Sequence, residues 1–138
     1  LKKTSTVKSS SNREFIDLDL SFTAKGAGDL YKKSSVASVK QALRNILMTA
    51  RTEKPFNPYF GANLRDYLFE FADELTESQM AIAIIENIRA FEPRVDPMTI
   101  KVYTDMEPDQ NSISITIIFN IQNSASEEEF TTRLSRLR

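Results

Sequence analysis

Ser112-Ile113-Ser114-Ile115-Thr116-Ile117-Ile118-Phe119-Asn120-Ile121 is the stretch that decides how this chain folds. Ile113, Ile115, Ile117, Phe119 and Ile121 alternate with Ser112, Ser114, Thr116, Ile118 and Asn120. A strand turns successive side chains to opposite faces, so this period predicts one greasy face and one mostly polar face. Upstream, Met98, Ile100 and Val102 alternate with Thr99, Lys101 and Tyr103, and the stretch Asp105 to Asn111 between the runs is rich in turn formers. Together they predict an antiparallel hairpin pairing about Met98–Tyr103 with Ser112–Ile121.

Two strands alone are marginal in water, so helices must cover the isoleucine face. Ser35 to Ala50 puts Val36, Val39, Leu43, Ile46, Leu47 and Ala50 on one helical stripe. A short helix begins with Asn63 as N-cap and carries Leu64, Leu68 and Phe71 on one face. Thr76-Glu77-Ser78-Gln79 is a capping box, with Leu75 placed to staple on Met80. That helix runs through Ile84, Ile85 and Ile88 to Phe91, where Pro93 disfavours helical geometry at Glu92. Beyond the hairpin, Ser126 to Glu129 reads as a second capping box. It predicts a fourth helix with Phe130, Leu134 and Leu137 as its apolar stripe and Arg133, Arg136 and Arg138 toward its negative end. The predicted class is α+β: three to four helices packed on one face of a small antiparallel sheet built around a C-terminal β-hairpin. Residues 35–138 form that domain. Residues 1–34 form an N-terminal arm, Ser/Thr/Lys-rich at first, then an extended apolar segment Phe15–Phe22, a Gly26-Ala27-Gly28-Asp29 turn and a short return strand at Leu30-Tyr31-Lys32.

Composition excludes several functions. The chain has 138 residues, 41% hydrophobic and 27% charged, a balance that suits one compact domain. It has no Cys and no His, which removes disulfides, thiol nucleophiles, Ser-His-Asp triads and nearly every zinc site, so no metal and no cofactor is expected. No apolar run approaches the ~20 residues that span a bilayer, and Leu1-Lys2-Lys3-Thr4-Ser5 does not read as a signal peptide. Residues 1–40 hold eight Lys/Arg against four Asp/Glu, and residues 41–138 hold ten against fifteen. The body has no aromatic-basic interleaving, so neither nucleic acid nor membrane is an expected partner.

A narrow sheet has two edges with unpaired backbone groups, and the Ser112–Ile121 strand carries neither charge nor proline to protect one. Two readings follow: a partner strand pairs with it, or the Phe15–Phe22 segment covers it internally. Two loops stand out besides. Glu53-Lys54-Pro55-Phe56-Asn57-Pro58-Tyr59-Phe60-Gly61 packs two prolines and three aromatics into a rigid loop, with Phe56 and Phe60 expected to plug the gap between the first two helices. Phe91-Glu92-Pro93-Arg94-Val95-Asp96-Pro97 holds Arg94 between two prolines, where its planar fork suits a partner's carboxylate or an ordinary solvated pair with Glu92 or Asp96.

These two loops carry a resemblance. The run Lys54 to Gly61 with Leu64 and Leu68-Phe69-Glu70, followed by Phe91-Glu92-Pro93-Arg94-Val95, resembles the small baseplate wedge subunit of contractile-tailed phages. That lysozyme-like family is shared with type VI secretion baseplates. The resemblance covers about residues 35–138. It implies a structural protein of the virion tail baseplate, assembled in the host cytoplasm, and not an enzyme. The implied partners are other wedge proteins, whose helical core bundle the Glu92, Pro93 and Arg94 motif would grip, the tail sheath protein, and the tail tube. The implied contact residues on the strand are Ser112, Ser114, Thr116, Ile118 and Asn120, offered to a sheath strand. The alternatives are a peptidoglycan-cleaving tail lysozyme and an interaction adaptor unrelated to tails. A glycosidase needs two carboxyls about 5–9.5 Å apart across a cleft; the candidates Glu53, Asp66, Glu70, Glu92 and Asp96 lie in or beside polar loops, and no Trp is available as a sugar platform.

Overall fold

The computed structural model describes residues 16–21, 32–107, 111–122 and 126–135. The arm before residue 16, the segment 22–31 and residues 136–138 lie outside them. The chain divides into two units, Leu1–Ser38 and Val39–Arg138. In the first, β1 (Ile16–Leu18) and β2 (Lys32–Ser34) form an antiparallel ladder with Ile16 opposite Ser34 and Leu18 opposite Lys32. α1 (Ser35–Met48) starts at the end of this unit and runs on into the second.

The second unit adds α2 (Leu64–Tyr67), α3 (Glu74–Phe91), β3 (Lys101–Glu107), β4 (Ser112–Asn120) and β5 (Glu127–Ser135). The three strands form one antiparallel sheet in the order β3-β4-β5. The alternation read in β4 is realised. Ile113, Ile115, Ile117 and Phe119 are fully buried, and Val39, Leu43, Ile46 and Leu47 of α1 and Met80, Ile84 and Ile88 of α3 join them in the core. Burying each such side chain contributes about 1.5–3 kcal/mol before conformational entropy is subtracted. The α+β class is therefore correct. The β3–β4 hairpin is correct as well, but β3 begins at Lys101 and extends to Glu107, so Asp105 belongs to the strand and Met98 is exposed.

Residues 127–135 overturn one expectation: they are a strand, not a fourth helix. Glu128, Phe130, Thr132 and Leu134 turn toward the core face, opposite Phe119, Ile117, Ile115 and Ile113, while Glu127, Glu129, Thr131, Arg133 and Ser135 are exposed. Pairing along nine residues of β4 outweighs a capping signal at Ser126, and the β-branched Thr131 and Thr132 favour the extended form. With β3 on one side and β5 on the other, β4 is the central strand.

The start of α3 also differs from the capping-box reading. Asp73, in extended conformation, is the N-cap, and its Oδ1 accepts the Thr76 N–H at 2.7 Å. Thr76 lies in the first turn, and Leu75 is 65% exposed. An ionised carboxylate is a stronger cap than a hydroxyl, because it also meets the positive end of the helix. Asn63 does precede α2, but in the left-handed region with no side-chain cap bond; its amide donates to the Asp66 carboxylate. On α2, Leu64 is buried and Leu68 half-buried, while Phe71 lies beyond the helix and is exposed.

Gly61 joins the 53–60 loop to this region. Its φ is +105°, and a Cβ there would sit 2.2 Å from the Thr49 carbonyl oxygen, so glycine alone fits. Ala62 N–H then donates to the Ile46 carbonyl at 3.2 Å and ties the loop to α1. Gly61→Ala should destabilise the chain by more than about 2 kcal/mol; a denaturant midpoint unchanged from the original would contradict this contact. Asp73 yields a pH prediction. Hydrogen bonds from the Thr76 backbone and then its side chain hold the Asp73 carboxyl below its ordinary value. The folded state therefore binds that proton less readily than the unfolded chain. The cap contributes fully above the ordinary carboxylate range of about 4 and is lost as pH falls through the lowered value. Asp73→Asn should keep the cap yet flatten that part of the acid-stability curve, read by thermal melts between about pH 2 and pH 5.

Candidate protein interaction surfaces

Among the described residues the sheet presents one open edge. On the β3 side, α3 closes in: Glu77 Oε1 accepts the Met106 N–H and the Glu77 carbonyl accepts the Thr104 hydroxyl, both at 3.3 Å. On the β5 side, no further strand pairs among the described residues. The edge expected at Ser112–Ile121 is thus internal, and neither of the two readings given for it holds: β5, not a partner or the Phe15–Phe22 segment, occupies it. Of the five strand residues offered as contacts, Ser112 is buried, and Ser114, Thr116, Ile118 and Asn120 are half-buried on the outer face. Their side chains are partly engaged. Arg133 donates to Ser112 Oγ at 2.8 and 3.2 Å and to Glu107 at 2.8 Å, and Thr116 shares a hydrogen bond with Thr131 at 3.2 Å. Lys101 pairs with Glu127 at 3.3 Å across the same face.

The 92–97 turn is built more tightly than a solvated pair. Glu92 is 4% exposed and takes both arms of the Arg94 fork, Nε at 2.6 Å and Nη2 at 2.7 Å, as well as the Arg94 N–H at 3.2 Å. Of the open choices for Arg94, Glu92 is the partner; Asp96 instead accepts the Met98 N–H at 3.0 Å. Main-chain bonds dock the turn on the end of β4: Asp96 N–H to the Asn120 carbonyl at 2.9 Å, and Gln122 N–H to the Arg94 carbonyl at 2.8 Å. Val95 is buried opposite Ile121, and the Arg89 fork holds the Pro97 carbonyl. Pro93 is left exposed at the tip.

The 53–60 loop divides its aromatics. Phe60 packs edge-to-face on Phe91, with ring centroids 5.1 Å apart, and Lys54 Nζ lies 4.1 Å over its ring. Phe56 does not plug the fold as expected; its ring stands fully in solvent, and Tyr59 is 78% exposed. Phe69 and Phe71, between α2 and α3, and Leu75, in the first turn of α3, are exposed as well.

The carboxylates weighed for hydrolysis are dispersed. Glu53 accepts the Ala50 N–H at 2.8 Å, and Glu92 is locked on Arg94. Asp66 and Glu70 line one cavity of about 210 Å³ with Arg51, Tyr67 and Gln79, below the ~300 Å³ at which ligand pockets begin. Among the described residues no cluster of carboxylates is placed to hold a metal ion, and no helix is long and apolar enough to cross a membrane.

The Arg94 pair yields a stability prediction. Arg94→Ala leaves a buried carboxylate without its counter-charge and should cost about 3–5 kcal/mol. Replacing both partners, Glu92→Leu with Arg94→Met, should recover most of that loss; urea titration of the original chain and the two variants checks both.

Comparison with known proteins fits this architecture. The sequence profile of the baseplate wedge protein gp25 family matches residues 33–126. Baseplate wedge protein gp25 of Enterobacteria phage T4 is 31% identical over 91 residues, 66% of this chain and 69% of that protein. Two solved structures share the fold. The crystal structure of a putative tail lysozyme from Geobacter sulfurreducens has a TM-score of 0.63 at 19% identity, covering 74% of this chain and 91% of that one. A chain of the six-fold symmetrised anti-feeding prophage baseplate has a TM-score of 0.61 at 18% identity, covering 87% and 84%. With more than half of its length matched by the family profile, this chain belongs to the baseplate wedge protein gp25 family.

Proposed function

We propose that this chain is a structural component of a contractile-tail baseplate, without catalytic turnover, which binds neighbouring wedge proteins and offers a sheet edge on which a sheath subunit adds a strand. Family membership supports the baseplate setting. The observation that carries the finer reading is the position of β5 at the sheet border: nine residues in regular extended form, bordered by β4 on one side only among the described residues. Such an edge offers a row of backbone donors and acceptors, and main-chain pairing gives affinity with little demand on the partner's side chains. The contact surface thus lies on β5 rather than β4, with Thr116, Ile118 and Asn120 flanking it on the outer face. Glu92, Pro93 and Arg94 serve neighbouring wedge proteins through shape. The buried pair sets the turn, and the exposed Pro93 with its backbone is what a helical bundle or the tail tube would meet.

Proline substitution along β5 tests the edge. Thr131 and Thr132 are neighbours, so the N–H of one faces β4 and that of the other faces out. The proline variant that keeps the original melting temperature identifies the outward position. Baseplates should assemble with that variant, but sheath should fail to polymerise on them in electron micrographs. Normal sheath growth would refute the edge. A second reading, peptidoglycan cleavage, draws on Asp66 and Glu70, which line one cavity, and on the fold shared with a putative tail lysozyme. The purified chain should release no soluble fragments from cell-wall material; release that is abolished by Asp66→Asn or Glu70→Gln would replace the structural reading.

A further inference from the structure

We propose that the loop from Arg51 to Phe60 is a preorganised aromatic anchor that docks, Phe56 first, into an apolar socket rimmed by carboxylates on another baseplate protein. The proposal rests on the wedge-protein reading for its setting, but it assigns a surface separate from the β5 edge and the 92–97 turn.

Backbone strain is the first observation. Phe56 has φ +64° and Thr52 φ +68°, in the left-handed region that L-residues with a Cβ avoid and that is an outlier for a β-branched or bulky side chain. Such conformations persist only where the surroundings over-determine them. Here they do. Thr52 N–H donates to the Pro58 carbonyl at 3.0 Å, Glu53 N–H to the Ala50 carbonyl at 3.3 Å, and Asn57 N–H to the Lys54 carbonyl at 3.3 Å. The Glu53 carboxylate returns to the Ala50 N–H, and Pro55 and Pro58 fix two further φ angles.

Exposure is the second. The strain secures no burial for Phe56, whose ring has no cover, nor for Tyr59, 78% exposed three residues on. A rigid loop that holds aromatic rings in water loses little entropy on docking, and aromatic anchors carry much of the energy of protein interfaces.

Charge names the partner's chemistry. Arg51 and Lys54 belong to the same loop and are exposed, as is Arg44 on α1, while the one acid of the loop, Glu53, is turned onto the Ala50 N–H. Neither Arg44 nor Arg51 has an ion-pair partner among the described residues. An apolar socket with a carboxylate rim complements this arrangement.

The test uses baseplates that lack only this chain, incubated with the purified full chain and read by co-sedimentation. Asparagine accepts left-handed backbone, so Phe56→Asn should leave the melting temperature unchanged or raise it by about 2–4 °C, while weakening binding at least about tenfold. Arg51→Glu should weaken binding too, and affinity of the original chain should fall between about 0.1 and 0.5 M salt. Full binding by Phe56→Asn overturns the anchor alone. So does a melting temperature lowered by several degrees, which would make Phe56 a packing residue. Salt-independent binding overturns the carboxylate rim, and a dimer of the chain abolished by Phe56→Asn overturns the partner by making it a second copy. Failure of the original chain to bind at all overturns the wedge reading and this proposal together.

Discussion

Burial of one face of β4 is the constraint on which the rest depends. Four consecutive inward positions, Ile113, Ile115, Ile117 and Phe119, are fully removed from water. A strand so greasy on one side cannot be left at a border, because its backbone would also need pairing. The fold meets both demands. β3 and β5 pair with its two flanks, and α1 and α3 share its core. The outer face then stays polar and is laced by Lys101–Glu127 and Arg133–Glu107 across the strand between them. Those pairs are exposed and contribute little each, so most of the stability comes from the isoleucine face.

The candidate contact surfaces are by-products of that solution. Once β4 is enclosed, the strand bordered on one side only among the described residues is β5, and the turn after α3 is drawn onto the end of β4 through Asp96, Val95 and Arg94. A family whose members build a baseplate needs surfaces that hold their shape before the partner arrives. The buried Glu92–Arg94 pair and the proline-bound 53–60 loop both remove freedom in the unbound state, which is what such a surface would require.

Much of this was legible in the sequence, and the misreadings share a physical cause. The period-two run in β4 has a single interpretation, and Pro93 stops α3 at the residue expected, Phe91. β5 was not legible. Phe130 and Leu134 are four apart, and four residues bring side chains to one face in a helix and, being even, in a strand as well. Ser126 and Glu129 add a capping signal that favours helix, although capping is worth far less than a ladder of nine pairs. The same degeneracy displaced the α3 cap, since Asp73 and Thr76 are both good caps three residues apart. In the candidate site, the bidentate partner of Arg94 was among the choices, but its burial was not. No local pattern reports that Val95 is pulled under Ile121 and carries Glu92 inward with it.

Glu128 makes the sheet count. It is the one charged side chain on the inner face of β5, at the end of the strand opposite Phe119, and Lys40 of α1 meets it at 3.0 Å. Sliding β5 by one residue would turn Phe130 and Leu134 to water. Sliding it by two toward the middle would keep the faces right but drive Glu128 against Ile117, among isoleucines and away from its ammonium. Even-numbered slips are the ones that hydrophobic alternation cannot reject. The Lys40–Glu128 contact therefore acts as a ruler: it lets a repetitive strand find one alignment out of several that hydrophobicity alone would accept.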